Sequence, residues 1–89
     1  MKQPYLEVTY RKGKVLAAYL YLPRSKGAKS VRTRRVGPGL VIDLAADGKA
    51  IGIEITAPGR VTPTVLNRVL KELGFDPVAN ADLAPLRAA

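Results

Sequence analysis

An α+β fold is what this chain of 89 residues predicts: a small antiparallel meander of four to five strands, with one C-terminal helix packed on one face. Three observations predict it. Short runs rich in β-branched and aromatic residues lie between Gly and Pro marks as far as Pro58. Asp47-Gly48 sits between two alternating apolar runs, the strongest short-range signal for a hairpin. After Pro58-Gly59 the apolar period changes from two to that of a helix. The length allows one core, so residues 1–76 read as a single α+β domain. Residues 77–89 read as a C-terminal tail, either a short docked turn or a frayed end.

The elements follow in order. Tyr5 to Tyr10 alternates, with Leu6, Val8 and Tyr10 on one face, and Arg11-Lys12-Gly13-Lys14 is a polar turn. Val15 to Leu22 is apolar on both faces, as expected of a strand buried on both sides or covered on one side by a partner chain. Ser30 to Val36 is the third run. Its arginines alternate without a clean apolar face, so its register stays open; a type II turn centred on Pro38-Gly39 would set Arg34 opposite Asp43. Leu40 to Ala45 and Ala50 to Thr56 are the fourth and fifth runs. A two-residue turn at Asp47-Gly48 pairs Leu44 with Ile51, Ile42 with Ile53 and Leu40 with Ile55, placing six aliphatic residues on one face. Thr62 then caps a helix from about Pro63 to Leu73, whose stripe is Val65, Leu66, Val69, Leu70 and Leu73. Asn67 is expected to face water, Gly74 to supply the left-handed cap, and Asn80 to cap a short turn in the tail.

Composition narrows the chemistry. The chain has no Cys and no His, which excludes disulfides, thiol catalysis, Cys/His zinc sites and a Ser-His-Asp triad. Fifteen Lys and Arg face seven Asp and Glu, for a net charge of +8. The excess is lopsided: residues 1–35 hold ten bases and one acid, residues 36–89 five bases and six acids. Such asymmetry suits a polyanionic partner, or simply a solvated face. No signal-peptide core and no membrane-length apolar run is present, so a cytoplasmic location with no membrane partner is expected.

Several residues stand out. Arg24, Lys26, Lys29, Arg32, Arg34 and Arg35 form the densest basic segment and are the candidate contacts to nucleic acid or another polyanion. Tyr19 and Tyr21, on the neighbouring strand, are suited to stack on bases, or to form an interface with a protein partner or a second copy. Against those readings, arginines on an edge strand also discourage aggregation, and the tyrosines would be covered if Leu83, Pro85 and Leu86 docked on them. Asp43 and Glu54 share a face, an arrangement able to act as an acid/base or metal-ligand pair. Two carboxylates without a third ligand more plainly mark a solvated face paired with Arg32, Arg34 or Lys49. Gly52 between them permits close approach, most simply by a neighbouring large side chain.

The segments Gly39-Leu40-Val41-Ile42-Asp43 and Asp47-Gly48-Lys49-Ala50-Ile51-Gly52-Ile53-Glu54-Ile55, with Ala18-Tyr19-Leu20 before them, resemble the bacterial domain-of-unknown-function family numbered 2283. The resemblance covers roughly residues 15–58, and Leu16 stands where that family carries an acid. It implies a compact sheet domain and, because some members sit beside toxin-like genes, an antitoxin-like component. The expected function is therefore a small non-enzymatic interaction module that binds a protein partner or itself as a homo-oligomer. The alternative is a nucleic-acid-binding protein using the Arg24–Arg35 segment. No catalytic, cofactor-binding or metal-binding residue is assigned, and no cofactor is expected.

Overall fold

The computed structural model describes residues 3–87. Five strands come first: β1 (Tyr5–Arg11), β2 (Lys14–Tyr21), β3 (Arg32–Arg35), β4 (Leu40–Leu44) and β5 (Ala50–Ile55). A 3-10 turn at Pro58–Arg60, helix α1 (Pro63–Glu72), helix α2 (Asn80–Leu83) and a 3-10 turn at Ala84–Arg87 follow. Short helical pieces thus take the place of one lone C-terminal helix. No helix among the described residues is long and apolar enough to cross a membrane.

All strands pair antiparallel, in the order β1-β2-β5-β4-β3. This corrects the expected meander. The chain leaves β2, crosses to the far edge to make β3, and returns through two hairpins until β5 lies beside β2, the arrangement of a Greek key. Charge and apolarity explain the order. A central β3 would bury Arg32, Arg34 and Arg35, whose desolvation is costly. At the edge all four β3 residues stay exposed, while Ile53 and Ile55 of β5 are fully buried in the middle of the sheet.

The β4–β5 register holds for four pairs, Leu40 with Ile55, Val41 with Glu54, Ile42 with Ile53 and Asp43 with Gly52. Then it slips. Leu44 faces Ala50 instead of Ile51. The turn is one residue longer than the expected two. Gly48 N–H donates to the Ala45 carbonyl, Ala45 N–H donates to the Lys49 carbonyl, and Gly48 takes a positive φ of 87°. A turn closed by a left-handed glycine adds one residue to one side, which is a bulge. Ile51 consequently leaves the main core cluster; it is buried beside Arg24, Ala28 and Ala45 of the crossing loop and turn. In β3, Thr33 lies opposite Asp43 and Arg34 opposite Ile42, one residue from the type II arrangement.

One side of the sheet carries the core. Ala18, Leu20 and Leu22, Leu40 and Ile42, and Ile53 and Ile55 cluster with Val61, with Leu66, Val69 and Leu70 of α1, and with Leu83 and Leu86. Helix α1 begins as its sequence dictates. The Thr62 hydroxyl accepts from Val65 N–H at 3.2 Å, and Pro63 takes the first helical position, where no N–H is needed. At its end Phe75 N–H reaches the Leu70 carbonyl and Gly74 N–H that of Lys71, the paired bonds of a Schellman motif. Three details differ from expectation. Val65 is exposed. Asn67 does not face water but clamps the backbone of Val78, donating to its carbonyl at 3.1 Å and accepting from its N–H at 2.8 Å. Ala79, not Asn80, stands at the cap of α2, without a side-chain bond.

Candidate interaction face

The other side of the sheet has no helix on it. Leu83 and Leu86 join the core on the α1 side, so the tail does not cover the tyrosines. Cross-strand pairs place residues on this open face in rows. One row runs Tyr5, Tyr21, Gly52, Asp43, Thr33; the next runs Glu7, Tyr19, Glu54, Val41, Arg35.

Tyr19 is the centre of the face. Its hydroxyl donates to Asp43 Oδ2 at 2.6 Å, two strands away, and the ring reaches there by lying across Gly52. A Cβ at Gly52 would collide with the Tyr19 ring and hydroxyl, so only glycine leaves this notch open. Burial first, then the hydrogen bond and negative charge of Asp43, push the Tyr19 phenol well above the ordinary tyrosine range, against a smaller lowering by Arg24. A neutral phenol donating to a carboxylate makes a charge-assisted hydrogen bond.

Tyr21 joins the cluster edge-on to Tyr19, with ring centroids 4.7 Å apart, and stacks on Tyr5 at 4.4 Å. Its hydroxyl donates to Glu7 Oε1 at 3.3 Å. Partial desolvation, then Glu7, raise its phenol in the same direction. Arg24 lies 5.4 Å from the Tyr21 ring centre, a cation–π contact, and its Nη2 is buried without a hydrogen-bond partner among the described residues. Tyr5 is half exposed, and Ala17, Tyr19, Tyr21 and Val41 are half-buried.

The six basic candidates do not lie on one surface. Arg24 sits on the open face over Tyr21. Lys26 and Lys29 are in the crossing loop, beside the Ala45–Asp47 turn. Arg32 and Arg34 pair with Leu44 and Ile42 and so belong to the helix side of the edge; Arg35 pairs with Val41 on the open side. Tyr19 and Tyr21, by contrast, are brought together. Asp43 and Glu54 share the open face, with Asp43 held by Tyr19 instead of by an arginine. Among the described residues no group of three or more His, Cys, Asp or Glu comes together to hold a metal. A hollow of about 280 Å³, walled by Pro4, Leu22, Pro23, Leu70, Phe75 and Val78, is slightly below the ~300–1,000 Å³ of ordinary ligand pockets.

Sequence reasoning missed the Tyr19–Asp43 bond and the place of Tyr5 in the cluster. Gly52, read from the sequence as room for a neighbouring large side chain, has that role here, and the side chain is that of Tyr19.

The fold and face define a small antiparallel sheet domain, armed on one side with tyrosines and carboxylates. Residues 17–57 match the model of a family described as a protein of unknown function (DUF2283). The match shows the resemblance read from the hairpin, and it takes in Tyr19, Asp43, Gly52 and Glu54 while leaving out β1 and the helices. No curated protein and no solved structure matches the chain.

Proposed function

We propose that this protein is a non-catalytic interaction module whose open sheet face docks a second copy of itself. One observation carries the reading: a five-stranded sheet whose core and helices lie on one side leaves Tyr5, Ala17, Tyr19, Tyr21 and Val41 together on the other. A chain this short buries a modest share of its surface, so covering that face adds apolar burial that the monomer lacks.

The charges suit a copy of the same face. Glu7 and Arg35 end one row on opposite edges, with Tyr19 and Val41 at mirrored positions between them. A two-fold axis parallel to β5, lying over it in the plane between the two faces, would bring Glu7 of one copy over Arg35 of the other, and Tyr19 over Val41. It would also bring the two Glu54 carboxylates near each other, so Glu54→Gln tightens the pair.

The test is mass by light scattering across a concentration series. Wild type runs as a dimer, Glu54→Gln as a tighter one, and Val41→Lys as a monomer. The new lysine can pair with Glu54 across the strands, keeping the monomer folded while making the face costly to desolvate. A wild-type monomer at every concentration overturns the reading and leaves a different protein, including an antitoxin-like pairing, as the occupant to seek.

A further inference from the structure

The β1–β2 ladder runs on after the rest of the sheet has ended. β2 pairs with β5 only from Ala18 to Tyr21, yet it pairs with β1 through Thr9–Ala17, Tyr10–Val15 and Arg11–Lys14. Three residues of β1 (Thr9–Arg11) and four of β2 (Lys14–Ala17), at ~3.3 Å per residue, thus form a two-stranded arm reaching roughly 10–13 Å past the last β5 pair. The longest dimension of the molecule is 37 Å, against 24 and 22 Å for the others. Lys12 and Gly13 both take positive φ, 52° and 80°, so the arm ends in a tight type I′ turn. Arg11, Lys12 and Lys14 at the tip are exposed, and Tyr10 and Leu16 behind them are about half exposed.

Strand directions add further charge at the same end. β1, β3 and β5 run parallel to one another in this order, so Arg35 at the end of β3 and Arg60 after β5 lie at the end from which the arm projects. Glu7 and Glu54 share the cross-strand row of Arg35 at the base of the arm, on the open face, whereas Asp43 lies a row further back and Asp47 in the opposite turn; the charges at the tip itself are those of Arg11, Lys12 and Lys14.

From this geometry we infer that the β1–β2 arm is a binding element for duplex DNA, entering the major groove with Arg11, Lys12 and Lys14 against phosphates. A B-form major groove is about 12 Å wide and 8.5 Å deep and admits a two-stranded ribbon. Three exposed, flexible cations suit phosphates, and Tyr10 and Leu16 supply apolar contact to base edges. The A-form groove of duplex RNA is too deep and narrow for a ribbon, so the same arm discriminates against it. This inference rests on a different surface from the self-docking face and does not depend on it.

The experiment is fluorescence anisotropy of the full chain with a labelled mixed-sequence DNA duplex, the matching RNA duplex and poly-glutamate, from about 50 to 200 mM salt. The DNA duplex binds with a logarithmic salt slope of about −3, near −0.9 per phosphate neutralised. Lys12→Ala with Lys14→Ala lowers affinity at least ~10-fold and flattens the slope by about 2, while Arg32→Ala with Arg34→Ala leaves both unchanged. Lys12→Asn is the folding control. Asn is at home in a type I′ turn, so this variant keeps or raises the melting temperature and still loses affinity. RNA binds at least ~10-fold more weakly than DNA. No DNA binding at the lowest salt, an arm double variant that binds like wild type, or equal affinity for RNA or poly-glutamate overturns the inference.

Discussion

Replacing Gly52 with alanine tests the notch under Tyr19 directly. Alone, an alanine in mid-strand should help, because glycine there costs roughly 0.5–1 kcal/mol relative to alanine. Here its methyl would occupy the space of the Tyr19 ring, which is backed by its hydrogen bond to Asp43. The ring must swing away and surrender that bond, and a bond to an ionised partner is worth about 1.5–3 kcal/mol. The balance is a net loss of about 1–2 kcal/mol, which in a domain of this size lowers Tm by about 5–15 °C. In a Tyr19→Ala background the phenol that would collide with the new methyl is gone, and the same substitution should stabilise by about 0.5–1 kcal/mol. Urea unfolding followed by circular dichroism on the four proteins of this cycle reads the sign change. Equal destabilisation in both backgrounds would refute the argument, because the loss would then come from the backbone of β5 and not from the phenol.

Three other outcomes are expected. Because its folded-state phenol is raised, Tyr19 contributes stability that is fully present below the ordinary tyrosine range near pH 10 and is lost as pH climbs above it; thermal melts across that window should fall less steeply in Tyr19→Phe. Leu83→Ala removes a side chain only 1% exposed and should cost about 2–4 kcal/mol in urea unfolding, whereas a loss below about 0.5 kcal/mol would mean the tail adds nothing to the core. Asn67→Ala frees both polar groups of the half-buried Val78 backbone and should cost about 1–3 kcal/mol, with amide exchange accelerating around Val78 if the clamp is what holds that segment.

Local signals were legible in the sequence, and long-range ones were not. Thr62, Pro63 and Gly74 announced both ends of α1 because capping acts within a few residues. The alternation of Leu40, Ile42, Ile53 and Ile55 foretold their shared face, because strand pairing across a short turn leaves little choice of register. The slip at Leu44 was hidden, since Asp47-Gly48 serves a two-residue turn and a bulged three-residue one alike. Strand order was hidden too. Nothing local to Val15–Leu22 names its neighbour, and the deciding comparison, arginines against isoleucines for a central place, spans the whole chain. In the candidate site, Tyr19 and Tyr21 were legible as neighbours on one strand. The bond to Asp43 required knowing that β5 lies between them.

The crossover from β2 to the far edge also sets the order in which the chain can assemble. β3, β4 and β5 join through short connections and can zip together as neighbours. The β2–β5 seam must instead wait for segments as far apart as Ala18 and Ile55 to meet. Closing so large a loop costs entropy before any contact is made, which makes that seam the slow event in folding. Until it closes, β5 and the β1–β2 ribbon each expose an open strand flank, and the nascent chain is then most vulnerable to pairing with a neighbour.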